Sequence, residues 1–141
     1  MIITGNPTEQ ILSQIISFYG VTSENVGVSA KIEEVYDEVI GKLDNYFSHI
    51  KNKYYYGDGS ETLFNPLHTA QWTMFLYYLA NTLKLRSGFN TDLCDMIYGI
   101  SKCFSSADIY YEVKMPDIWF FDHPQGSVMG RAEYSDYFTF S

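Results

Sequence analysis

The hydrophobic rhythm of this chain changes once, at Ser105-Ser106, and that change limits the folds open to it. Before it, apolar residues recur at spacings of three and four. After it, over residues 108–121, no helical period survives, and Ile, Val, Tyr and Trp crowd around Pro116. Side chains three and four apart share one helix face, whereas aromatic and β-branched runs interrupted by proline read as short strands and turns. The expected fold is mainly α: a helical bundle over residues 1–106, then a short β segment over 107–141. At 141 residues the chain has the size of one folding unit.

Four helices follow from caps and stripes. Asn6-Pro7-Thr8-Glu9 is a helix start with Asn6 as cap, Pro7 in the first turn and Glu9 as returning carboxylate. Ile11, Leu12, Ile15, Ile16 and Tyr19 form its apolar stripe and Gly20 its left-handed end. Ser29 opens a second helix, whose inner face runs from Ile32 through Val39 and Leu43 to Ile50; its charged residues make a solvated face. The glycines and aspartate of 57–60 make a loop. Asn65-Pro66 starts a third helix by the same cap-then-proline logic. Residues 72–80 are apolar nearly all round, which places this helix inside the bundle or at a subunit interface. A fourth helix is expected over residues 91–103, weakened by Gly99.

Charge and composition exclude several partners. Nine basic against 17 acidic residues give a net charge of −8, which repels nucleic acid and anionic membrane surfaces alike. Residues 72–85, the longest apolar stretch, are too few and too interrupted for a spanning helix of roughly 20 residues. The N-terminus lacks the basic start and apolar run of a secretory signal, so the expected location is cytoplasmic. Cys94 and Cys103, nine apart with no CxxC and no histidine cluster, suit two reduced, buried thiols and not a zinc site.

In the tail, Ile109, Met115 and Phe121 recur every six residues, the rhythm of a solenoid in which each short strand points one side chain inward; Val128 lies one residue off it. Imidazole is the side chain that titrates near neutrality, so a general base is sought first among the three histidines. His49, beside Lys51 and Lys53, reads as a surface residue and His68, early in the third helix, as a packing residue. His123 differs, lying between Asp122 and Pro124 ahead of Gln125-Gly126-Ser127-Val128-Met129-Gly130, a context that exposes a side chain beside adaptable backbone.

Ala107-Asp108-Ile109, then Asp122-His123, then Gly126-Ser127-Val128-Met129-Gly130, together resemble the opening coil of the serine O-acetyltransferase family of hexapeptide-repeat acyltransferases. The interval of fifteen residues from Asp108 to His123 matches that pattern without a gap. The resemblance implies a left-handed parallel β-helix preceded by a helical domain, acetyl-CoA as co-substrate, no metal, and active sites between subunits of a trimer or dimer of trimers. His123 matches the general base that deprotonates the serine hydroxyl, Asp108 the carboxylate that orients the imidazole, and Asp122 a carboxylate contacting the substrate amino group. The family completes its site with a second histidine and an acetyl-CoA surface on later coils. At about eighteen residues per coil, residues 108–141 supply fewer than two, and a solenoid core takes about three repeats. The resemblance therefore implies a truncated form, inactive or weakly active alone. Cysteine biosynthesis is the implied context.

Three other readings fit the residues. A parent enzyme could acetylate a sugar hydroxyl on the same scaffold. A non-catalytic oligomerisation module would use residues 72–79 as its contact surface. Tyr54, Tyr55 and Tyr56 would line a carbohydrate-binding surface.

Overall fold

A computed structural model describes residues 1–20, 25–87, 91–121 and 126–140. It is mainly helical: β1 (Ile2–Ile3), α1 (Pro7–Tyr19), α2 (Asn25–Ser48), a 3-10 turn (Lys53–Tyr55), β2 (Leu63–Phe64), α3 (Thr69–Ser87) and α4 (Thr91–Ser105) precede four short strands. These are β3 (Asp108–Ile109), β4 (Trp119–Phe121), β5 (Val128–Met129) and β6 (Phe138–Phe140). No helix of the described residues is long and apolar enough to cross a membrane.

The first helix follows its sequence signals. The Asn6 side chain accepts from the Glu9 N–H at 3.1 Å, Pro7 sits in the first turn, and Gly20, at φ 66°, donates its N–H to the Ile16 carbonyl at 2.9 Å. Two starts differ from expectation. α2 begins at Asn25, a turn before Ser29, because Val28 already belongs to the apolar stripe and is buried. α3 begins at Thr69 and not at Pro66. Asn65 caps a local turn instead, its side chain accepting from the Leu67 N–H at 3.0 Å and its carbonyl from the His68 N–H at 2.9 Å. His68 then takes over, its Nδ1 accepting from the Gln71 N–H at 3.4 Å. β1 pairs in parallel with β2, Ile2 opposite Leu63 and Ile3 opposite Phe64, a pairing with no signal in so short a pair of segments.

α3 is the central helix, packed on α2 along one side and on α4 along the other. Trp72, Met74, Phe75, Leu76, Leu79 and Ala80 are at most 1 % exposed, so the all-round apolar stretch lies inside the bundle. Its buried polar groups are paired. Gln71 receives the Asn65 N–H at 2.8 Å and donates to the Tyr54 carbonyl at 2.9 Å; Thr73 donates to the Thr69 carbonyl at 2.9 Å; Thr82 receives Lys42 Nζ at 2.9 Å. Of residues 72–79 only Tyr78 is partly exposed; the others are buried.

The tail is layered. β3 pairs in parallel with β5, Asp108 opposite Val128 and Ile109 opposite Met129, an offset of 20 residues. β4 pairs in parallel with β6, Trp119 opposite Phe138 through Phe121 opposite Phe140, an offset of 19. Two successive lengths of chain therefore trace the same path, one upon the other. Their corners repeat as well. Ser106 (φ 56°) and Gly126 (φ 73°), again 20 apart, both adopt the left-handed conformation, and the Gly126 N–H donates to the Ser106 carbonyl at 2.8 Å. Burial alternates residue by residue, with Ala107, Ile109, Tyr111, Val113 and Met115 all inward. The six-residue series of Ile109, Met115 and Phe121 is buried throughout, as expected. On the second layer the inward residue is Met129, 4 % exposed, while Val128 is 68 % exposed, because the β3–β5 offset of 20 residues sets Met129 on Ile109 and Val128 on Asp108.

Candidate functional site

Asp108 stands where the bundle meets the layered tail, and α4 dictates its surroundings. The helix ends at Ser105, and Ser106, left-handed in backbone, donates its N–H to the Lys102 carbonyl at 2.9 Å and turns the chain back along the helix. Asp108 thus returns beside the last two turns of α4. The Tyr98 hydroxyl donates to Asp108 Oδ1, and Lys102 Nζ lies 3.3 Å from Oδ2. Tyr98 and Lys102 are one turn apart, and the ammonium sits 5.5 Å from the centre of the Tyr98 ring. Backbone bonding fixes the same strand from the other side, the Asp108 N–H donating to the Ser127 carbonyl at 2.8 Å.

A second phenol–carboxylate pair lies alongside. The Tyr111 hydroxyl donates to Asp95 Oδ1 at 2.7 Å and receives the Tyr110 hydroxyl at 3.3 Å. The Tyr110 and Tyr111 rings stand 4.4 Å apart, and Tyr98 meets Tyr110 edge-on at 5.3 Å. Burial, then the hydrogen bond to Asp108 and its negative charge, push the Tyr98 phenol well above its ordinary value; burial, then bonds to Tyr110 and Asp95, do the same at Tyr111. Both therefore stay protonated donors at neutral pH. An ionised carboxylate offers about four lone-pair sites. With one neutral and one cationic donor engaged, Asp108 retains acceptor capacity for a third, such as an imidazole N–H.

Asp122 and His123 lie outside the described residues, so the structure places only Asp108 of the three expected site residues. Tyr98 and Lys102 were not singled out from sequence. Their signal was present, a phenol and an ammonium four apart on a helix that ends just before the carboxylate, but the apolar residues Leu93, Met96, Ile97 and Ile100 define only the inward face of that helix. Among the described residues no group of three His, Cys, Asp or Glu side chains is placed to hold a metal ion.

The remaining candidates resolve as follows. His49 is exposed, its Nδ1 2.7 Å from the Asn45 carbonyl oxygen. His68 is half-buried among packing contacts, 5.8 Å from the Tyr55 ring and 6.2 Å from that of Tyr54. The three tyrosines do not form one surface: Tyr54 is exposed, Tyr56 half-buried, and Tyr55, 2 % exposed, is packed edge-on against Phe47 in the core. Both cysteines are free thiols, but only Cys94 is buried, and burial raises its thiol to about 11; Cys103 is exposed, which corrects the expectation of two buried thiols.

Among the described residues, clefts on the surface include the following. One of about 480 Å³ lies between α2, α3 and residues 112–117; one of about 400 Å³ lies beside β4 and β6; one of about 410 Å³ lies between α1 and the start of α3. Comparison of the chain with protein-family models, with curated proteins and with solved structures finds no match.

Proposed function

We propose that residues 107–141 are the start of a left-handed parallel β-helix, and that the chain is the helical domain and first coils of an acetyl-CoA-dependent O-acetyltransferase acting on serine or a related small hydroxyl acceptor. The observation that supports this reading best is the pair of parallel strand registers, offset by 20 and 19 residues, directly after a helical bundle and with Asp108 on the first strand. Stacked coils of nearly equal length are what a β-helix requires.

In this reading His123 accepts the proton of the acceptor hydroxyl as its oxygen attacks the acetyl thioester carbonyl. The tetrahedral intermediate then collapses, the C–S bond breaks, and the imidazolium returns the proton to the CoA sulfur, leaving an ester and a free thiol. Asp108 receives the second imidazole N–H and stabilises the cation formed, and Asp122 pairs with the acceptor ammonium. The anchoring of Asp108 by Tyr98 and Lys102 favours this role, since an orienting carboxylate must itself be held. The family resemblance carries with it sites shared between subunits of a trimer or dimer of trimers. A cytoplasmic setting suits an acetyl-CoA donor.

The test is release of CoA thiol from acetyl-CoA by the chain at high protein concentration, with and without serine, beside His123→Ala. Serine-dependent release that the substitution abolishes is the expected result. Release equal in both proteins, or release independent of any hydroxyl acceptor, overturns the assignment of His123 as base. Sugar acceptors assayed in parallel separate the two acceptor classes.

A further inference from the structure

The cleft between α2, α3 and residues 112–117 has the construction of a ligand site, and the proposed acetyl transfer makes no use of it. Its outer wall is fastened to α3 in three successive places. The Tyr77 hydroxyl donates to the Val113 carbonyl at 2.5 Å and receives the Met115 N–H at 3.3 Å; Asn81 Nδ2 donates to the Tyr111 carbonyl at 2.7 Å; Lys84 Nζ lies 3.5 Å from Glu112. Positions 77, 81 and 84 share one helix face, so the segment is held along its length and the cleft is pre-formed. A volume of about 480 Å³ suits a small metabolite.

The polar groups around it fall into two sets. Lys42, Asn81 and Glu112 are committed to protein partners, Lys42 to Thr82 at 2.9 Å and Glu38 at 3.4 Å. The Asn45 amide, the Lys114 ammonium and the Asp117 carboxylate make no side-chain hydrogen bond or ion pair with the described residues. Asp117 lies near enough to the Tyr78 phenol for its charge to act there, after burial, in keeping the phenol protonated, so a neutral donor accompanies the carboxylate. Met115 and Pro116 line the same cleft and supply apolar surface.

An uncommitted ammonium, carboxylate and amide in a cleft with apolar surface are complementary to a small zwitterion with an apolar body. We infer that this cleft binds a free α-amino acid with an apolar side chain: its carboxylate to Lys114 and Asn45, its ammonium to Asp117, its side chain against Met115 and Pro116. Neither single-charge fragment uses both ends of the site. At the ligand efficiency of an ordinary small molecule, an amino acid of about a dozen heavy atoms binds with a Kd of roughly 1–3 mM.

The probe is l-phenylalanine, titrated to about 20 mM against 15N-labelled chain, with phenethylamine and 3-phenylpropionate as analogues lacking the carboxylate or the ammonium. Saturable amide shifts confined to residues 42–45, 77–81 and 112–117, at least tenfold weaker for each analogue and lost in Lys114→Ala and Asp117→Asn, are the expected result. Both substituted side chains are exposed and make no side-chain hydrogen bond or ion pair with the described residues, so the variants keep the fold, which their unchanged remaining spectra verify. Absence of saturable shifts for all three compounds overturns the site, and equal shifts with an analogue overturn the ligand class. l-Phenylalanine has no hydroxyl to acetylate, so neither result depends on the proposed reaction.

Discussion

Replacing Tyr77 with Phe removes one oxygen and tests how the tail is fixed to the bundle. The hydroxyl serves two buried backbone groups, the Val113 carbonyl at 2.5 Å and the Met115 N–H at 3.3 Å, and Tyr77, Val113 and Met115 are 4 %, 5 % and 8 % exposed. A buried backbone group left unpaired costs about 1–3 kcal/mol, partly offset because the hydroxyl itself no longer needs desolvating. Taking the low end for both groups, Tyr77→Phe costs about 2 kcal/mol at neutral pH, or roughly 6–8 °C in Tm for a chain of this size. Urea unfolding at pH 7 measures it. The same phenol gives a second readout. Burial raises it from 10.0 to about 12, so the folded state keeps the proton when the unfolded chain has lost it. Stability from this group is therefore full below pH 10 and is lost as pH rises toward 12, at about 1.4 kcal/mol per pH unit. Phe cannot titrate, so the gap between wild type and variant should narrow by about 1 kcal/mol between pH 9 and pH 11. A loss under about 0.5 kcal/mol at neutral pH, with no narrowing at high pH, would refute the docking described here.

Trp72→Ala should cost about 3–5 kcal/mol in urea unfolding, since it empties a site 1 % exposed and strips Gln14 of the indole N–H bonded at 3.0 Å; Leu67→Ser, at a side chain 84 % exposed, should change stability by less than about 0.5 kcal/mol. The two left-handed corners should respond oppositely: Ser106→Gly raises stability by about 0.5–1 kcal/mol by relieving φ 56°, and Gly126→Ala lowers it by about 1–2 kcal/mol at φ 73°, both read from the urea midpoint. Asp108→Asn should lower any serine-dependent thiol release at least tenfold while leaving far-UV circular dichroism unchanged; unaltered release would remove Asp108 from the proposed site.

The helical half was legible because its signals are local. Asn6, Pro7 and Gly20 each act within one turn of where they stand, and the stripes of α2 and α4 need only a dry neighbour. What was misread involved choices between competing local partners. Asn65-Pro66 has the grammar of a helix start, yet Asn65 spends its oxygen on the Leu67 N–H and its own N–H on Gln71, and the helix begins only where His68 can cap it. Cys103 and Cys94 differ in burial because nine residues, about two and a half turns, place them on opposite faces of α4.

The tail shows why period and spacing carry different information. A strict grid of six assigns Ser127 the inward place after Phe121, yet the inward residue of β5 is Met129. Ile109, Met115 and Phe121 satisfy the grid because two divides six: the physical rule is alternation along an extended chain, and six is only its third multiple. Between Phe121 and Met129 the corner at Gly126 intervenes, and a corner resets the phase without regard to any grid. The coil length is set by where one left-handed corner can stack on the last, Gly126 N–H upon Ser106 carbonyl, and such a contact between residues 20 apart leaves no mark in either residue's neighbours. The same separation governs Asp108. A sequence pattern could single it out, but its partners Tyr98 and Lys102 become visible only once the corner at Ser106 folds the strand back along the helix that precedes it.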